Sequence, residues 1–241
     1  MANFFVDKDA FVKDPVVIEG DEANHMIKVL RMKEGECLTL FDGDGNCIDG
    51  VIEKIENKTV FVKAIKRYAS ESEPNLKITL FQAIPKNPKM DLIIQKATEL
   101  GVNMIVPVNT KRIVAKIDKE AKIERLQKIA HEAAKQCGRA YIPPVLNPTS
   151  FDKAIEQMKG YDAAIIPYEC EKDGRIADAL PEGIKNLAII IGPEGGFEES
   201  EVSKAIQAGV KPVTLGKRIL RTETAGLIAS AICLYIAGDM E

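Results

Sequence analysis

The sequence predicts an α/β protein whose larger part is a parallel β-sheet, preceded by a small β-barrel or β-sandwich. The first seventy residues alternate short apolar runs with Gly-rich turns, which is typical of small all-β domains. From residue 77 onward, short apolar runs alternate with helical patterns, which indicates βα units and a parallel sheet. A chain of 241 residues is long enough for two domains of this kind.

Four strands and one helix are predicted in the first domain. The strands are Val16–Glu19, Cys37–Phe41, Cys47–Ile52 and Thr59–Ile65. A helix is expected near Glu22–Leu30, with Asp21 as its N-cap. The polar, Pro-containing stretch Tyr68–Asn75 predicts a linker. We therefore place the domain boundary between residues 72 and 73, giving domains 1–72 and 73–241.

The second domain is predicted to alternate strands and helices throughout. The expected strands are Lys77–Ala83, Asn103–Val108, Ala163–Pro167, Leu187–Ile191 and Val213–Leu215. The expected helices are Pro88–Leu100, Asp118–Cys137, Arg175–Leu180, Glu199–Ala208 and Thr222–Ile236. Such alternation forms a parallel sheet covered by helices.

Charge is distributed unevenly along this acidic chain, whose formal net charge is −3. Residues 1–73 hold ten Lys and Arg against fifteen Asp and Glu, whereas residues 111–139 hold nine against four. A basic surface for nucleic acid is therefore available on the second segment, where Lys122, Arg125, Lys128 and Lys135 share one face of the predicted long helix.

The five cysteines favour a reducing compartment. They stand at 37, 47, 137, 170 and 233, and no two of them form a CxxC pair. This spacing predicts neither a metal site nor a disulfide framework. The beginning of the chain lacks the apolar run of a signal peptide, and Ala225–Ala237 is too short to span a bilayer. We expect a cytoplasmic protein with no metal and no membrane association.

A glycine-rich turn follows the most apolar predicted strand. Leu187–Ile191 runs directly into Gly-Pro-Glu-Gly-Gly at 192–196, and a helix is expected from Glu199. Ligands of open α/β sheets bind beyond the carboxyl ends of the strands, where glycines let them approach backbone amides. The turn is neither a P-loop nor a GxGxxG fingerprint. A strand-to-helix turn without a ligand remains the alternative interpretation.

A second glycine-bearing loop follows the next predicted strand. It reads Leu215-Gly216-Lys217-Arg218-Ile219-Leu220-Arg221 and leads into a helix for which Thr222 is the expected N-cap. The simpler interpretation is a well-capped helix beside solvated basic side chains. It does not account for two consecutive βα units that both carry such a loop at the carboxyl end of the strand.

Together these motifs resemble the SPOUT methyltransferases and, within them, the RsmE family of ribosomal RNA small-subunit uridine N3-methyltransferases. The resemblance covers nearly the whole chain. It includes His25–Gly35, Lys96–Val102 and Glu132–Arg139 as well as the two loops, all in the family order. One departure is Asn3 before Phe4 and Phe5, where the family usually has Arg.

The resemblance implies a PUA-like RNA-binding β-barrel in front of a SPOUT domain with a C-terminal trefoil knot. It implies a homodimer that uses S-adenosyl-L-methionine as cofactor. The implied substrate is 16S ribosomal RNA or the small ribosomal subunit, and the implied product is methylated at N3 of uridine 1498 in the reference numbering. None of this follows from periodicity or composition.

The resemblance also assigns candidate site residues. The cofactor-binding candidates are Ile191, Gly192, Pro193, Glu194, Gly196, Leu215, Gly216, Ile219, Leu220, Thr224 and Ala225. Arg221 and Glu223 are the catalytic candidates, and Lys28, Arg31, Arg112 and Arg139 are the RNA-binding candidates.

The roles of the catalytic candidates stay open at this point. Arg221 is expected to hold phosphate or a developing uridine anion, unless it forms a salt bridge with Glu223 or Glu194. Glu223 is expected to accept a proton, orient Arg221 or favour the helix start. Glu194 is expected to balance the sulfonium or only to shape the turn.

Two alternatives to this function remain from the residues alone. One is a SPOUT methyltransferase that acts on another RNA, and the other is an RNA-binding protein without catalysis. The intact run Arg221-Thr222-Glu223-Thr224-Ala225 favours an enzyme. A phosphate-binding transferase that uses the Gly-Pro-Glu-Gly-Gly turn is disfavoured because no P-loop lysine follows.

Overall fold

A computed structural model describes residues 2–86, 88–115, 117 and 120–240. Contacts within the chain divide it into two compact units. The first consists of Met1–Glu73 with Ala134–Ile142, and the second of Pro74–Ala133 with Pro143–Glu241. The first unit thus includes a short segment that is distant in sequence, and the boundary between residues 72 and 73 stays a prediction.

The first unit is built on one five-stranded sheet with two short helices and a π-helical turn. Its strands are β1 (Ala2–Phe5), β2 (Val16–Ile18), β3 (Cys37–Phe41), β4 (Asn46–Glu56) and β5 (Thr59–Ala69). Helices α1 (Lys8–Phe11) and α2 (Gly20–Asn24) precede the π-helical turn His25–Val29. The strand order is β1-β3-β4-β5-β2. Only β1 and β3 pair in parallel; the other pairs are antiparallel.

The sheet of the first unit curls around a hydrophobic core of aliphatic and aromatic side chains. The pairing of β4 with β5 shifts register after Asp49 and again after Ile52, and such irregularities bend a strand. Gly50 stands at the first shift, where an added Cβ would lie 2.5 Å from Val62 and 2.9 Å from the carbonyl oxygen of Lys63. Alternate residues such as Leu38 and Leu40 are fully buried in the core.

Several details of the first unit differ from the sequence prediction. Strand β1 and helix α1 were not predicted, because segments of four residues show too little periodicity. The predicted helix begins earlier, with Glu19 at the N-cap position, so Asp21 lies inside it. The predicted linker begins later, since Tyr68 and Ala69 belong to β5. Tyr68 donates a hydrogen bond to Asp49 at 2.9 Å.

The second unit contains one six-stranded parallel sheet. Its strands are β6 (Lys77–Ala83), β7 (Met104–Asn109), β8 (Thr149–Ser150), β9 (Ala163–Pro167), β10 (Asn186–Ile191) and β11 (Lys211–Val213). Its helices are α3 (Lys89–Glu99), α5 (Phe151–Met158), α6 (Ile176–Ala179), α7 (Glu199–Gln207) and α8 (Thr222–Ile236). The strand order is β11-β9-β10-β6-β7-β8, with parallel pairing throughout. The helix α4 (Glu120–Cys137) contributes residues to both units.

Both faces of this sheet are covered by helices, which explains why β10 is apolar from Leu187 to Ile191. Leu187, Ile189 and Ile191 pack in one core with residues of α3 and α8. Ala188 and Ile190 pack in the other core with residues of α5 and α7. The predicted parallel α/β sheet is therefore confirmed.

The second unit also departs from the prediction in places. Strand β8 and helix α5 were missed, although Ser150 caps α5 by accepting a hydrogen bond from the backbone of Lys153. Strand β11 ends at Val213, so Leu215 belongs to the following loop. Asp118, the predicted start of α4, lies outside the described residues.

Helix α8 begins at Thr222, as predicted, but its N-cap position is occupied by Arg221. The Thr222 side chain is therefore available for contacts outside the helix. Among the residues that the structure describes, no helix combines the length and the apolar composition that crossing a membrane requires.

Candidate functional site

The predicted site residues of the second unit lie at one edge of the parallel sheet, in loops, at the end of β10 and in the first turn of α8. Parallel strands all end at the same edge, so the loops after β6, β7, β9, β10 and β11 are neighbours there. The glycine-rich turn is the loop after β10 and is defined here as residues 192–197. The basic loop follows β11 and is defined as residues 214–221.

The glycine-rich turn is in close contact with its surroundings, and two of its glycines are required for this. Gly196 has a φ of +67°, and an added Cβ would lie 2.7 Å from Oε1 of Glu169 in the loop after β9. An added Cβ on Gly192 would lie 3.1 Å from the ring of Phe197. The backbone of the turn is thus packed against side chains.

A buried polar chain joins the glycine-rich turn to the start of α8. Gln82, fully buried at the end of β6, donates from Nε2 to the hydroxyl of Thr222 at 2.9 Å. That hydroxyl donates to the carbonyl oxygen of Gly192 at 2.6 Å. Since an unpaired buried polar group costs about 1–3 kcal/mol, this chain of hydrogen bonds fixes the spacing between the ends of β6 and β10 and the start of α8.

Lys89, at the start of α3, connects two candidate residues. Its Nζ lies 3.2 Å from Oε1 of Glu194 and 3.0 Å from Oε2 of Glu223. The backbone amide of Lys86 also donates to Glu194, at 3.1 Å. Glu194 and Glu223 therefore share one cation.

The pKa values of both carboxyl groups are lowered by this arrangement. Burial acts to raise the pKa of Glu223, but a hydrogen bond from its own backbone amide, together with Lys89, outweighs it. For Glu194, burial is likewise outweighed, by backbone amides and Lys89. Both side chains are therefore carboxylates at neutral pH, and Glu223 is a weak base.

A cleft lies between the loop after β9 and the basic loop. Its lining residues are Pro167, Tyr168, Glu169, Thr214, Leu215, Gly216, Lys217, Arg218, Ile219, Leu220 and Ala225. Five of the predicted cofactor residues are in this set: Leu215, Gly216, Ile219, Leu220 and Ala225. The other six do not line it: Ile191, Gly192, Pro193, Glu194, Gly196 and Thr224.

Sequence reasoning missed the residues that the loop after β9 contributes to the cleft. Pro167, Tyr168 and Glu169 carry no motif, and only their position after a strand of the same sheet could have indicated them. A hydrogen bond with Cys170, together with burial, raises the pKa of Tyr168 to about 12, so its phenol is neutral. Glu169 lies between the cleft and Gly196 of the glycine-rich turn.

Arg221 stands at the end of the basic loop with an exposed side chain. The sequence also allowed a salt bridge from Arg221 to Glu223 or Glu194. Neither ion pair forms, and both carboxylates instead contact Lys89. Within the described part of the chain, the Arg221 guanidinium has no ion-pair partner.

The four RNA-binding candidates fall in different environments. Lys28 and Arg31 are exposed on the first unit, beside the π-helical turn. Arg112, in the loop after β7, is exposed and donates to the carbonyl oxygen of Gly195 at 3.0 Å. Arg139 is only 4% exposed, and its guanidinium contacts Glu73 at 2.7 Å. The expectation that Arg139 contacts RNA does not fit this burial, which gives the side chain a structural role.

The predicted basic face of α4 is also partly neutralised. Arg125 forms a bidentate pair with Asp91 at 2.6 and 2.7 Å, and Lys135 contacts Glu22 at 2.6 Å. Lys128 is exposed. Fewer cations are therefore available to an RNA phosphate than the number of Lys and Arg residues in 111–139 suggests.

Two family models match the chain. The model of an RNA methyltransferase domain matches residues 72–234, and the model of an RNA methyltransferase PUA domain matches residues 18–65. The first match alone covers more than half of the chain. The PUA-like domain expected from the resemblance is thereby confirmed.

Individual relatives agree with the family models. The chain is 36% identical to ribosomal RNA small subunit methyltransferase E of Bacillus subtilis, over 90% of this chain and 89% of that protein. A crystal structure of the corresponding protein from Neisseria gonorrhoeae, bound to S-adenosyl methionine, superimposes with a TM-score of 0.85 at 33% identity and 96% coverage of both chains. A methyltransferase from Legionella pneumophila, in complex with the same cofactor, gives 0.80 at 36% identity and 95% coverage of both. The chain belongs to the ribosomal RNA small subunit methyltransferase E family.

Proposed function

We propose that this S-adenosylmethionine-dependent RNA methyltransferase modifies N3 of a single uridine in 16S ribosomal RNA, position 1498 in the reference numbering, in the cytoplasm. Methylation of 16S ribosomal RNA follows from the family and its cofactor-bound relatives. Two features carry the proposal of a specific uridine N3 site. One is the cleft beside the basic loop, and the other is Arg221 at the end of that loop, which has no ion-pair partner among the described residues.

The residues around the cleft fit an adenosine-containing cofactor. Leu215, Leu220 and Ala225 offer apolar contacts, and the backbone at Gly216 adopts a φ of +96° without crowding. Glu169 supplies a carboxylate beside the cleft that can balance a positive charge. When bound, S-adenosylmethionine supplies a methyl group on a sulfonium. Ile191, Thr224 and the candidates of the glycine-rich turn stay proposed cofactor residues, although they do not line the cleft.

Arg221 acts on the uridine in this proposal. N3 of uridine becomes a nucleophile when its proton passes to solvent water, and the resulting negative charge spreads to O2 and O4. A guanidinium can donate two hydrogen bonds to such an anion and stabilise it as it develops. Hydrogen bonds from its own backbone amide and from Lys89 outweigh burial and lower the pKa of Glu223, which makes it a weaker base than an ordinary glutamate, so we assign it an electrostatic role.

RNA contacts are proposed on both units. Lys28 and Arg31 extend from the PUA-like unit, and Arg112 extends from the methyltransferase unit beside the glycine-rich turn. Their exposed cations suit phosphates, and each is expected to act additively through counterion release. Arg139 is left out of this set because it is buried against Glu73.

We also propose the homodimer and the trefoil knot that the resemblance implies. Helix α8 leaves an apolar strip open, with Ile228, Ile232, Tyr235 and Ile236 between 36% and 65% exposed. Such a strip is suited to burial against a second copy. The bond from Thr222 to Gly192, which holds the start of α8 to the glycine-rich turn, is compatible with a knotted carboxyl-terminal segment.

Mass spectrometry of 16S ribosomal RNA tests the function directly. A bacterial strain that lacks its own enzyme of this family is complemented with the wild-type chain, with Arg221→Ala or with Arg175→Ala. The wild type should restore N3-methyluridine at one position. Arg221→Ala should lower turnover about 100-fold or more, as the loss of a donor to a developing anion does elsewhere. Arg175→Ala is the control, because Arg175 forms only an exposed pair with Asp178.

The outcomes separate the alternatives. A methyl group on another nucleoside or another RNA would refute the proposed substrate while leaving the enzyme class intact. Full restoration by Arg221→Ala would refute the role of that arginine. No methylation by the wild-type chain, although it binds RNA, would favour the non-catalytic alternative.

A further inference from the structure

Lys89 carries a charge that the proposed reaction does not use. It stands on α3 and faces the carboxylates of Glu194 and Glu223, at 3.2 and 3.0 Å. Its side chain is 26% exposed, and those of the two glutamates are 28% and 15% exposed. A carboxylate that is mostly withdrawn from water needs a nearby cation, because desolvation destabilises its charged form.

Arg221 is an alternative cation for the same carboxylates. It precedes Glu223 by two residues, and its charge contributes to the lowered pKa of Glu223 although no ion pair forms between them. An arginine fork pairs with a carboxylate in bidentate geometry, so a Glu223 without Lys89 would attract the Arg221 side chain. The exposure of Arg221 therefore depends on which cation Glu223 already has.

We infer that Lys89 is a positioning residue, which neutralises Glu194 and Glu223 and thereby keeps the Arg221 guanidinium available to the RNA. This inference rests on the role proposed for Arg221. Lys89 touches neither substrate nor cofactor in this account, and it acts only through the charge of the two glutamates.

Two other roles for Lys89 lead to different results. In a purely structural role, Lys89 would hold the glycine-rich turn against α3, and removing a second partner of the cluster could only weaken the protein further. In a direct role, Lys89 would contact an RNA phosphate itself, and its loss could not be compensated by changing a glutamate. Only the inferred role predicts that removing a negative charge restores function.

The test compares the wild type with Lys89→Met, the double variant Lys89→Met/Glu223→Gln and the control Lys204→Met. Lys204 pairs with Asp152 at 3.0 Å between two helices, so its variant removes an ion pair of similar length away from the site. Methylation kinetics give kcat and KM for RNA, and the salt dependence of RNA binding is measured without turnover. Urea unfolding checks that every variant is folded.

The expected pattern is a loss and a rescue. Lys89→Met should lower kcat/KM about tenfold or more and reduce the slope of binding against salt by about one, because Arg221 is diverted to Glu223. The double variant should regain the wild-type salt slope but only part of kcat/KM, because Glu223→Gln also removes the electrostatic role proposed for Glu223. Lys204→Met should match the wild type in both quantities. Lys89→Arg, which keeps the charge, should retain most of the wild-type kcat and provides the comparison if Lys89→Met does not fold.

Other outcomes overturn the inference. A double variant as impaired as Lys89→Met, or more impaired, would show that Lys89 holds the structure or binds phosphate itself. Wild-type kinetics in Lys89→Met would show that the carboxylates need no partner. Arg221→Ala is measured in parallel: if it is impaired while Lys89→Met is normal, only this inference fails, and if it is fully active, the proposed role of Arg221 fails first.

Discussion

The glycine-rich turn and the basic loop occupy the same edge of one sheet but are held very differently. Gly192 accepts a hydrogen bond from Thr222, Glu194 contacts Lys86 and Lys89, and Gly195 accepts one from Arg112. In the described structure, the part of the basic loop before Arg221 has hydrogen bonds only at its beginning, from the amide of Thr214 to the carbonyl oxygen of Gly174 and from the amide of Gly216 to the hydroxyl of Thr214. Its Ile219 side chain is 86% exposed.

This difference indicates that the glycine-rich turn is rigid before cofactor binding, whereas the basic loop changes on binding. The glycine-rich turn is preorganised, since its backbone groups are already paired with protein atoms and its glycines are packed. Residues 217–220 of the basic loop line the cleft and take part in no described hydrogen bond, so this part of the loop can adapt to a ligand. We expect cofactor binding to order the basic loop and to leave the turn nearly unchanged.

Hydrogen exchange provides the largest expected contrast between the two loops. With S-adenosylhomocysteine at about 100 times its Kd, amides of residues 217–220 should exchange up to about 100-fold more slowly. At this concentration the ligand stabilises the loop conformation that binds it by about 2.7 kcal/mol relative to conformations that do not. Amides of residues 192–197 should change much less. Equal protection of both loops, or protection of the glycine-rich turn alone, would contradict the expectation that cofactor binding orders mainly the basic loop.

Thr222→Val is expected to destabilise the glycine-rich turn, which the Thr222 hydroxyl holds. The substitution keeps the shape of the side chain but removes the hydroxyl between Gln82 and Gly192, so the buried Nε2 of Gln82 keeps only its bond to Ala83 and the carbonyl oxygen of Gly192 loses its partner. The free energy of unfolding should fall by about 1–3 kcal/mol in urea titrations. Thr222→Ser keeps the hydroxyl and should recover most of this loss. If the serine variant were no better than the valine variant, packing of the methyl group would explain the effect.

Gly196→Ala should have a smaller effect that appears in cofactor binding. The positive φ costs about 1 kcal/mol for any residue with a Cβ, and here the Cβ would also push Glu169 away from the cleft. Calorimetry should show an affinity for S-adenosylmethionine reduced about tenfold. Gly183→Ala is the matched control, since Gly183 has a φ of +70° with no atom within 4 Å of the added Cβ. A similar loss in both variants would assign the effect to backbone strain alone.

Much of the fold could be predicted from local patterns. Strands β3, β6 and β9 and helix α8 have the predicted bounds, because each is a clear apolar run between turn residues. Helix α5 was missed despite its eight residues, and the missed strands β1 and β8 have four residues or fewer. Their conformation depends on pairing with a neighbouring strand, which the local sequence does not encode.

In the candidate site, too, local motifs could be predicted from the sequence but contacts between distant residues could not. The two glycine-bearing loops could be found from the sequence because backbone geometry restricts which residues fit there. The sequence could not show that Glu169 faces Gly196, that Lys89 lies between two glutamates, or that Arg139 is buried. Each of these depends on which strand ends become neighbours.

The sequence by itself determined the parallel α/β architecture, the positions of both loops and the family resemblance, because periodicity and motifs are properties of short segments. The tertiary structure alone decided the partners of the charged residues. Glu223 is separated from Arg221 by one residue in the chain, yet it pairs with Lys89, which is more than a hundred residues away. Charge pairing depends on distances of a few ångströms in space, and the sheet topology sets those distances.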